Sequence, residues 1–313
     1  MTAADPQVAA GQGAAAALAA GELIILPTET VYGLAADAAN PTAVARLYEA
    51  KGRPRFNPLI AHVADWAMAS RIAGLDDRAL RLADAFWPGP ITFVAPIADA
   101  ALVCDLARAG LDTVAVRAPG HEMAQAVIAA FGRPLVAPSA NRSGRPSPTT
   151  FADAVAETGA AAAVCLDGGG CDVGLESTVV ALMDGPPRLL RPGAVTRSQI
   201  EALIGSLAEA EGDAARSPGR LARHYAPNAP VRLNAEAPQP GEAYLAFGPA
   251  PTGAGVFNLS PTSDLREAAA RLFSSLRAAD ALSPAAIAVA PIPEDGLGEA
   301  INDRLRRAAG YIG

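Results

Sequence analysis

The sequence predicts an α/β protein of two domains, the larger built on a mixed sheet. Three observations carry that expectation. The 313-residue chain is longer than a single core usually serves. Short runs rich in Val, Ile and Leu alternate with helical stripes over its first two-thirds. Several connections are too short for a crossover helix, so some neighbouring strands must run antiparallel.

Strands are expected at 23–26, 58–63, 91–96, 113–117, 134–137, 163–166, 177–182 and 188–190, each four to seven apolar residues or close to it. Asn40-Pro41 supplies an N-cap and a first-turn proline, and Val44, Leu47 and Tyr48 give the following helix an apolar stripe to about residue 50. Segments 76–86, 121–131, 151–157 and 196–207 read as further helices. The Ala-rich N-terminus is broken by Gly11, Gly13 and Gly21 and lacks a basic start, which suits a surface helix better than an export signal. Residues 208–230 turn polar and lose periodicity, as a linker does. Beyond it, strands at 231–233, 243–247 and 286–290 and helices at 264–279 and 298–309 make a small second α/β domain. The expected boundaries are therefore 1–207, 208–230 and 231–313.

Composition narrows the function. The net charge is −7, so stable, sequence-independent binding of nucleic acid is not expected. Cys104, Cys165 and Cys171 show no CxxC pairing and no metal-ligand spacing with His62, His121 or His224. They read as buried apolar residues of a protein in a reducing cytoplasm. No apolar run reaches the length of a membrane crossing. Lys51 is the single lysine among 25 basic residues, and a compact ammonium kept where arginine is used everywhere else draws attention to its surroundings.

Polar groups gather where strands end, which is where α/β proteins place ligands. Pro27-Thr-Glu-Thr30 follows the first strand directly; these residues either cap a turn or line a pocket. Lys51-Gly-Arg53-Pro-Arg55-Phe-Asn57 leaves a helix C-terminus, where its cations either offset the helix dipole or hold a polyphosphate. Thr113 and Arg117 share one face of a strand, and a guanidinium inside an apolar strand needs a carboxylate partner from ligand or protein. Ser139, Asn141 and Ser147 lie in a Ser/Asn/Gly/Pro loop, and Asp167–Thr178 carries glycines that permit close backbone approach to a ligand. No GxxxxGK[ST] or GxSxG pattern occurs. His62, at the end of an apolar strand, reads by itself as a satisfied core histidine. An anion-binding pocket without a nucleophile favours chemistry by positioning and charge stabilisation.

Taken in order, PTETVYGL, KGRPRFNPLIAHV, WPGPITFV, LDTVAVRAPGH, APSANRSGRPSPT, GLESTVV and LLRPGAVT resemble the YrdC-like threonylcarbamoyl-AMP synthase family in its longer, two-domain form. SPGRLARHYAPNAPV resembles that form's linker, except that Arg220-Leu221-Ala222 replaces its usual basic-aromatic middle. The resemblance implies a strongly twisted mixed sheet around a deep concave, positively charged cavity, with a smaller Rossmann-like second domain. It implies that L-threonine, bicarbonate and ATP, the last with Mg²⁺, give L-threonylcarbamoyl-AMP and pyrophosphate. The product would pass to a separate transferase that modifies the tRNA adenosine beside the anticodon. Carried over residue by residue, Lys51 and Arg53 would be catalytic, neutralising phosphate charge. Arg53, Asn57, Thr113, Ser139, Asn141, Ser147, Arg191 and Tyr225, with Lys51, would surround ATP. Thr30, His62, Arg117, Ala137 and Ser177 would surround threonine, with Arg117 meeting its carboxylate. No metal-binding side-chain motif, organic cofactor or membrane partner is expected. Phe56 is bulkier than the family's usual residue there and is expected to narrow the cavity or pack beneath it. Two rivals stand beside this reading: carbamoyl adenylation, and a binding module for double-stranded RNA.

Overall fold

The computed structural model describes residues 6–208 and 224–311. Helix α1 (Pro6–Ala19) lays Ala14 and Leu18 against Ile24, Val127 and Ile128. Strand β1 (Leu23–Leu26) is wholly buried and pairs antiparallel with β2 (Gly33–Asp37), Leu26 opposite Gly33 and Ile25 opposite Leu34. The sequence reading missed β2, because Gly33, Ala35 and Ala36 have little strand propensity of their own. Their smallness is what the site needs: a side chain on Gly33 would start 3.1 Å from the Ala137 methyl. Residues 27–32 therefore join two antiparallel strands.

Helix α2 (Pro41–Lys51) begins as expected, with the Asn40 side chain accepting from the amides of Thr42 and Ala43, and stops at Gly52, whose φ of 58° ends the helix in the left-handed region. There follow β3 (Ile60–His62), α3 (Trp66–Ile72), α4 (Asp77–Phe86), β4 (Ile91–Pro96), α5 (Asp105–Arg108), β5 (Thr113–Arg117), α6 (Glu122–Phe131), β6 (Leu135–Val136), α7 (Phe151–Thr158), β7 (Ala162–Cys165), β8 (Thr178–Ala181), β9 (Arg188–Arg191) and α8 (Arg197–Ile204). The short helices α3 and α5 were not expected; seven and four residues show too little periodicity to be recognised.

Among the described residues nine strands form one sheet in the order β7-β1-β2-β6-β3-β5-β4-β8-β9. It is mixed, as the short connections required: β3 runs parallel to β5 and β4 to β8, whereas β2–β6, β3–β6, β4–β5 and β8–β9 are antiparallel. A second, four-stranded sheet of β10 (Val231–Arg232), β11 (Ala243–Ala246), β12 (Val256–Asn258) and β13 (Ile287–Val289) has the order β10-β13-β11-β12, and its pairings are all parallel. Helices α9 (Leu265–Ala281) and α10 (Leu297–Ala309) accompany it, and β12 is its unexpected strand. The expected linker lies largely outside the described residues, and Arg220-Leu221-Ala222 falls wholly there.

The two units share a core. Val31 and Leu175 from the first pack among Leu272, Phe273 and Leu276 of α9, together with Tyr225. Gly174, at φ 72°, leaves no room for a side chain, which would start 2.4 Å from the Ala270 Cα. The Asp167–Thr178 glycines were expected to approach a ligand; the one with the closest contact approaches the second unit instead. No helix among the described residues is long and apolar enough to cross a membrane.

Candidate active site

A cavity opens between the ends of these strands, and residues scattered over the whole first unit line it. From the β1–β2 connection come Thr28, Thr30 and Val31; from the loop after α2, Arg53 and Pro58; from the neighbouring strands and loops, His62, Arg117, Ala137, Ser139, Ser177 and Arg191. His224 and Tyr225, at the far end of the linker, complete the wall. Among the described residues three guanidiniums and one carboxylate, Glu176, give the lining its charge.

Each cation donates to backbone carbonyls. Arg53 donates from Nε to the Asn57 carbonyl at 3.3 Å and from Nη2 to that of Pro58 at 3.0 Å. Burial pulls its pKa down to about 10, so the folded chain bears a cost for keeping it charged. Arg191 donates from Nε to the Ser177 carbonyl at 3.0 Å and from Nη2 to its hydroxyl at 3.1 Å, and that hydroxyl also meets Thr92 Oγ1 at 2.7 Å. Arg117 reaches the Gly89 carbonyl at 3.2 Å and Thr30 Oγ1 at 2.9 Å, with Nη2 2.6 Å from Glu29 Oε1. The strand-embedded charge thus finds its partner in a carboxylate of the protein. The sequence left open whether ligand or protein would supply that carboxylate; Glu29, which was quoted but not chosen as a site residue, does so here.

Two histidines lie in the wall as neutral rings. Burial drives the pKa of His62 down to about 3, and the Arg117 charge adds to that. Its Nδ1 lies 3.1 Å from the Ile60 carbonyl, which can only accept, so Nδ1 carries the proton and Nε2 is left as an acceptor. His224 is driven to about 3 by burial in the same way. Tyr225 adopts φ 61°, a costly conformation for a side-chain-bearing residue. Its ring lies 5.3 Å from that of Phe273, and its buried hydroxyl has no hydrogen-bond partner among the described residues.

Of the expected site residues, Arg53, Ser139, Arg191, Tyr225, Thr30, His62, Arg117, Ala137 and Ser177 line this one cavity. Lys51, Asn57, Thr113, Asn141 and Ser147 are buried but do not line it. Lys51 Nζ donates to the carbonyls of Ser139 and Asn141, fastening α2 to that loop; burial and then the Arg53 charge press its pKa well below the usual lysine value. Asn57 accepts at its carbonyl from Tyr48 and Arg53 and donates its backbone N–H to the Pro54 carbonyl. Asn141 holds the carbonyls of Arg142 and Arg145 through Nδ2. Ser147 donates to Glu176. Thr113 shares a face with Arg117, yet four residues of strand separate them by about 13 Å. Phe56 is 68% exposed, so it neither narrows the cavity nor packs beneath it. Beyond Glu29, the sequence reading passed over Thr28, Glu176 and His224, although each lies within a stretch it quoted.

Fold and site together define an α/β protein whose buried arginines converge on a cavity closed by the start of a second domain. Two family models account for that layout: the Sua5/YciO/YrdC family, described as telomere recombination, matches residues 16–193, and the C-terminal domain of threonylcarbamoyl-AMP synthase matches 195–310. The chain is 39% identical to the threonylcarbamoyl-AMP synthase of Bacillus subtilis (strain 168), over 98% of this chain and 94% of that one. It is 41% identical to the synthase of Pyrococcus abyssi (strain GE5 / Orsay), over 93% and 91%. The crystal structure of P. abyssi Sua5 complexed with L-threonine superposes with a TM-score of 0.88 at 38% identity, covering 96% of this chain and 94% of that one. This chain belongs to the threonylcarbamoyl-AMP synthase family.

Proposed function

We propose that the chain makes L-threonylcarbamoyl-AMP and pyrophosphate from L-threonine, bicarbonate and ATP. The observation that carries this reading is the convergence of Arg53, Arg117 and Arg191 on one cavity, in a chain that matches throughout a protein crystallised with L-threonine. In the reaction, the threonine nitrogen attacks the carbon of bicarbonate and water is lost, giving a carbamate. A carbamate oxygen then attacks the α-phosphorus of ATP, and pyrophosphate leaves. Nothing here needs a protein nucleophile; it needs two anions held side by side and charge offset as the leaving group departs.

Arg117 would bind the threonine carboxylate, turning from Glu29 or sharing itself with it, while Thr30, Ser177 and the Ala137 backbone shape the pocket. A neutral His62 with a free Nε2 suits it to accept a hydrogen bond from the amine; with a pKa near 3 it is too weak a base to strip the ammonium proton. Arg53 and Arg191 would meet the phosphates. Lys51, Asn57, Asn141 and Ser147 would hold the loops on which Arg53, Ser139 and Glu176 sit, with the Lys51 charge acting through the Ser139–Asn141 segment, and Thr113 would bracket the nucleotide further along β5. Tyr225 would close over ATP and exclude water.

Mg²⁺ belongs to this reading as part of the MgATP substrate. Among the described residues the one carboxylate lining the cavity, Glu176, is bound to Arg304 and Ser147. We take 1–207 as the catalytic unit, 208–230 as a closing linker and 231–313 as a Rossmann-like unit, the catalytic sheet being strongly twisted around a deep concave site. The protein would work in the cytoplasm and pass its product to a separate tRNA transferase. The test is pyrophosphate release from MgATP with each amino acid, with and without bicarbonate, and with carbamoyl phosphate replacing both. Release that needs threonine and bicarbonate together supports the reading; release indifferent to either overturns it.

A further inference from the structure

The second unit meets the segment that carries Tyr225 along one stripe of α9. Phe273, Arg277 and Asp280 follow one another at intervals of four and three residues, so they share a helix face. The Phe273 ring lies 5.3 Å from that of Tyr225. Arg277 donates from Nη2 to the Pro146 carbonyl and pairs through Nη1 with Glu157 at 3.0 Å. Asp280 is buried, and its Oδ1 accepts from the Ala229 amide at 2.9 Å. Its Oδ2 accepts from Asn228 Nδ2 at 3.1 Å and from Arg145 Nη2 at 3.4 Å, while Arg145 Nη1 donates to Asn228 Oδ1 at 2.6 Å. Nearer the tyrosine, the Ala226 amide donates to the Gly144 carbonyl at 2.7 Å. Residues 144–146, 226–229 and α9 are thus fastened to one another.

Two features single out Asp280. A carboxylate in the last turn of α9 opposes the helix dipole, and that turn has no basic residue to offset it. Its place is therefore secured by tertiary contacts rather than by the helix. Those contacts fall on the backbone just after a strained residue: Tyr225 stands at φ 61°, a conformation that persists only where the surroundings over-determine it. Gly144 fixes Ala226, Asp280 fixes Asn228 and Ala229, and Pro227 between them is stiff by itself. Tyr225 lines the cavity, and its buried hydroxyl has no hydrogen-bond partner among the described residues. We infer that Asp280 is a positioning residue for the nucleotide: by holding Asn228 and Ala229 it keeps Tyr225 in its strained conformation and delivers the hydroxyl to bound MgATP. The second unit thereby takes part in nucleotide binding through a residue that does not line the cavity. This rests on ATP being the occupant, as proposed above.

The experiment measures affinity of the full chain for a non-hydrolysable MgATP analogue, and separately for L-threonine, by calorimetry. Asp280→Ala removes the acceptor while favouring the helix itself. The analogue Kd should rise roughly fivefold or more and the threonine Kd by less than about twofold. Added to Tyr225→Phe, the same change should cost less than about twofold in analogue Kd, because the hydroxyl that Asp280 places is already gone. An equal loss in both backgrounds, or an equal loss of both ligands, would show Asp280 to be an ordinary interface contact and overturn the inference. Should the alanine variant not fold, Asn228→Ala, at an exposed position, takes its place. It strips the bonds to Asp280 and Arg145, and its analogue Kd should rise about threefold or more in the native background alone; no rise overturns the inference. Wild type that binds the analogue yet releases no pyrophosphate would sink the proposed reaction and leave this inference standing; wild type that binds no analogue overturns both.

Discussion

Arg117 and Glu29 form a buried ion pair, Nη2 to Oε1 at 2.6 Å, in which both carboxylate oxygens and that nitrogen lack a properly aligned hydrogen bond among the described residues. Charge holds the pair together while its hydrogen-bonding capacity goes unused. A substrate carboxylate arriving on Arg117 would supply what the pair lacks. Arg117→Ala should therefore raise the threonine KM by roughly thirtyfold, the worth of about 2 kcal/mol in charge-assisted hydrogen bonds, with the KM for ATP moved far less. Glu29→Gln should cost about 3 kcal/mol of stability by leaving the buried guanidinium uncompensated, and added threonine should raise Tm more in that variant than in wild type. Pyrophosphate release at varied threonine and thermal scans with and without it check the two statements.

Lys51 and Arg53 are adjacent in function but should separate in stability. Arg53→Met removes a guanidinium whose charge is disfavoured by burial, so Tm should hold or rise while kcat/KM falls roughly 30- to 900-fold, the equivalent of about 2–4 kcal/mol expected when a phosphate-stabilising group goes. Lys51→Met unfastens α2 from Ser139 and Asn141 and should lower both Tm and activity. Parallel losses in both variants would contradict the division of labour.

Tyr225→Phe deletes a buried hydroxyl without a partner among the described residues. The ligand-free chain should gain about 1 kcal/mol, since that group's desolvation is uncompensated, and affinity for the ATP analogue should fall several-fold. Denaturant midpoints with and without the analogue separate the two effects.

Stability should drop on acidification. His62 and His224 have folded pKa values near 3 against an ordinary 6.5, so below pH 6.5 the unfolded chain binds protons that the folded chain refuses. Their contribution is whole above pH 6.5 and drains as the pH falls towards 3. By pH 5 each should have cost about 2 kcal/mol. Urea midpoints at pH 7.5 and 5.0 measure the loss, and His62→Gln should shrink it by about half.

Much of the fold was legible in the sequence because burial writes itself into pattern. The apolar runs that became β1, β4 and β5, and the Asn40-Pro41 start of α2, match the structure to within a residue. What escaped was β2, whose Gly-Leu-Ala-Ala reads as loop until β1 lies beside it, and the short α3 and α5, which tertiary packing supports more than their own periodicity does. In the site, the odd residues of an apolar context gave themselves away: the single lysine, and an arginine inside a strand.

By itself the sequence determined which groups are too costly to bury without purpose, since desolvation depends on residue type and on an apolar neighbourhood that the chain shows locally. It could not determine which partner offsets each cost. That Arg117 meets Glu29, that Lys51 grips two carbonyls near residue 140, and that Glu176 is engaged from a helix 128 positions further along were decided by tertiary structure alone. Electrostatic and hydrogen-bond pairing acts over a few ångströms of space, and only the folded sheet brings such distant segments that close.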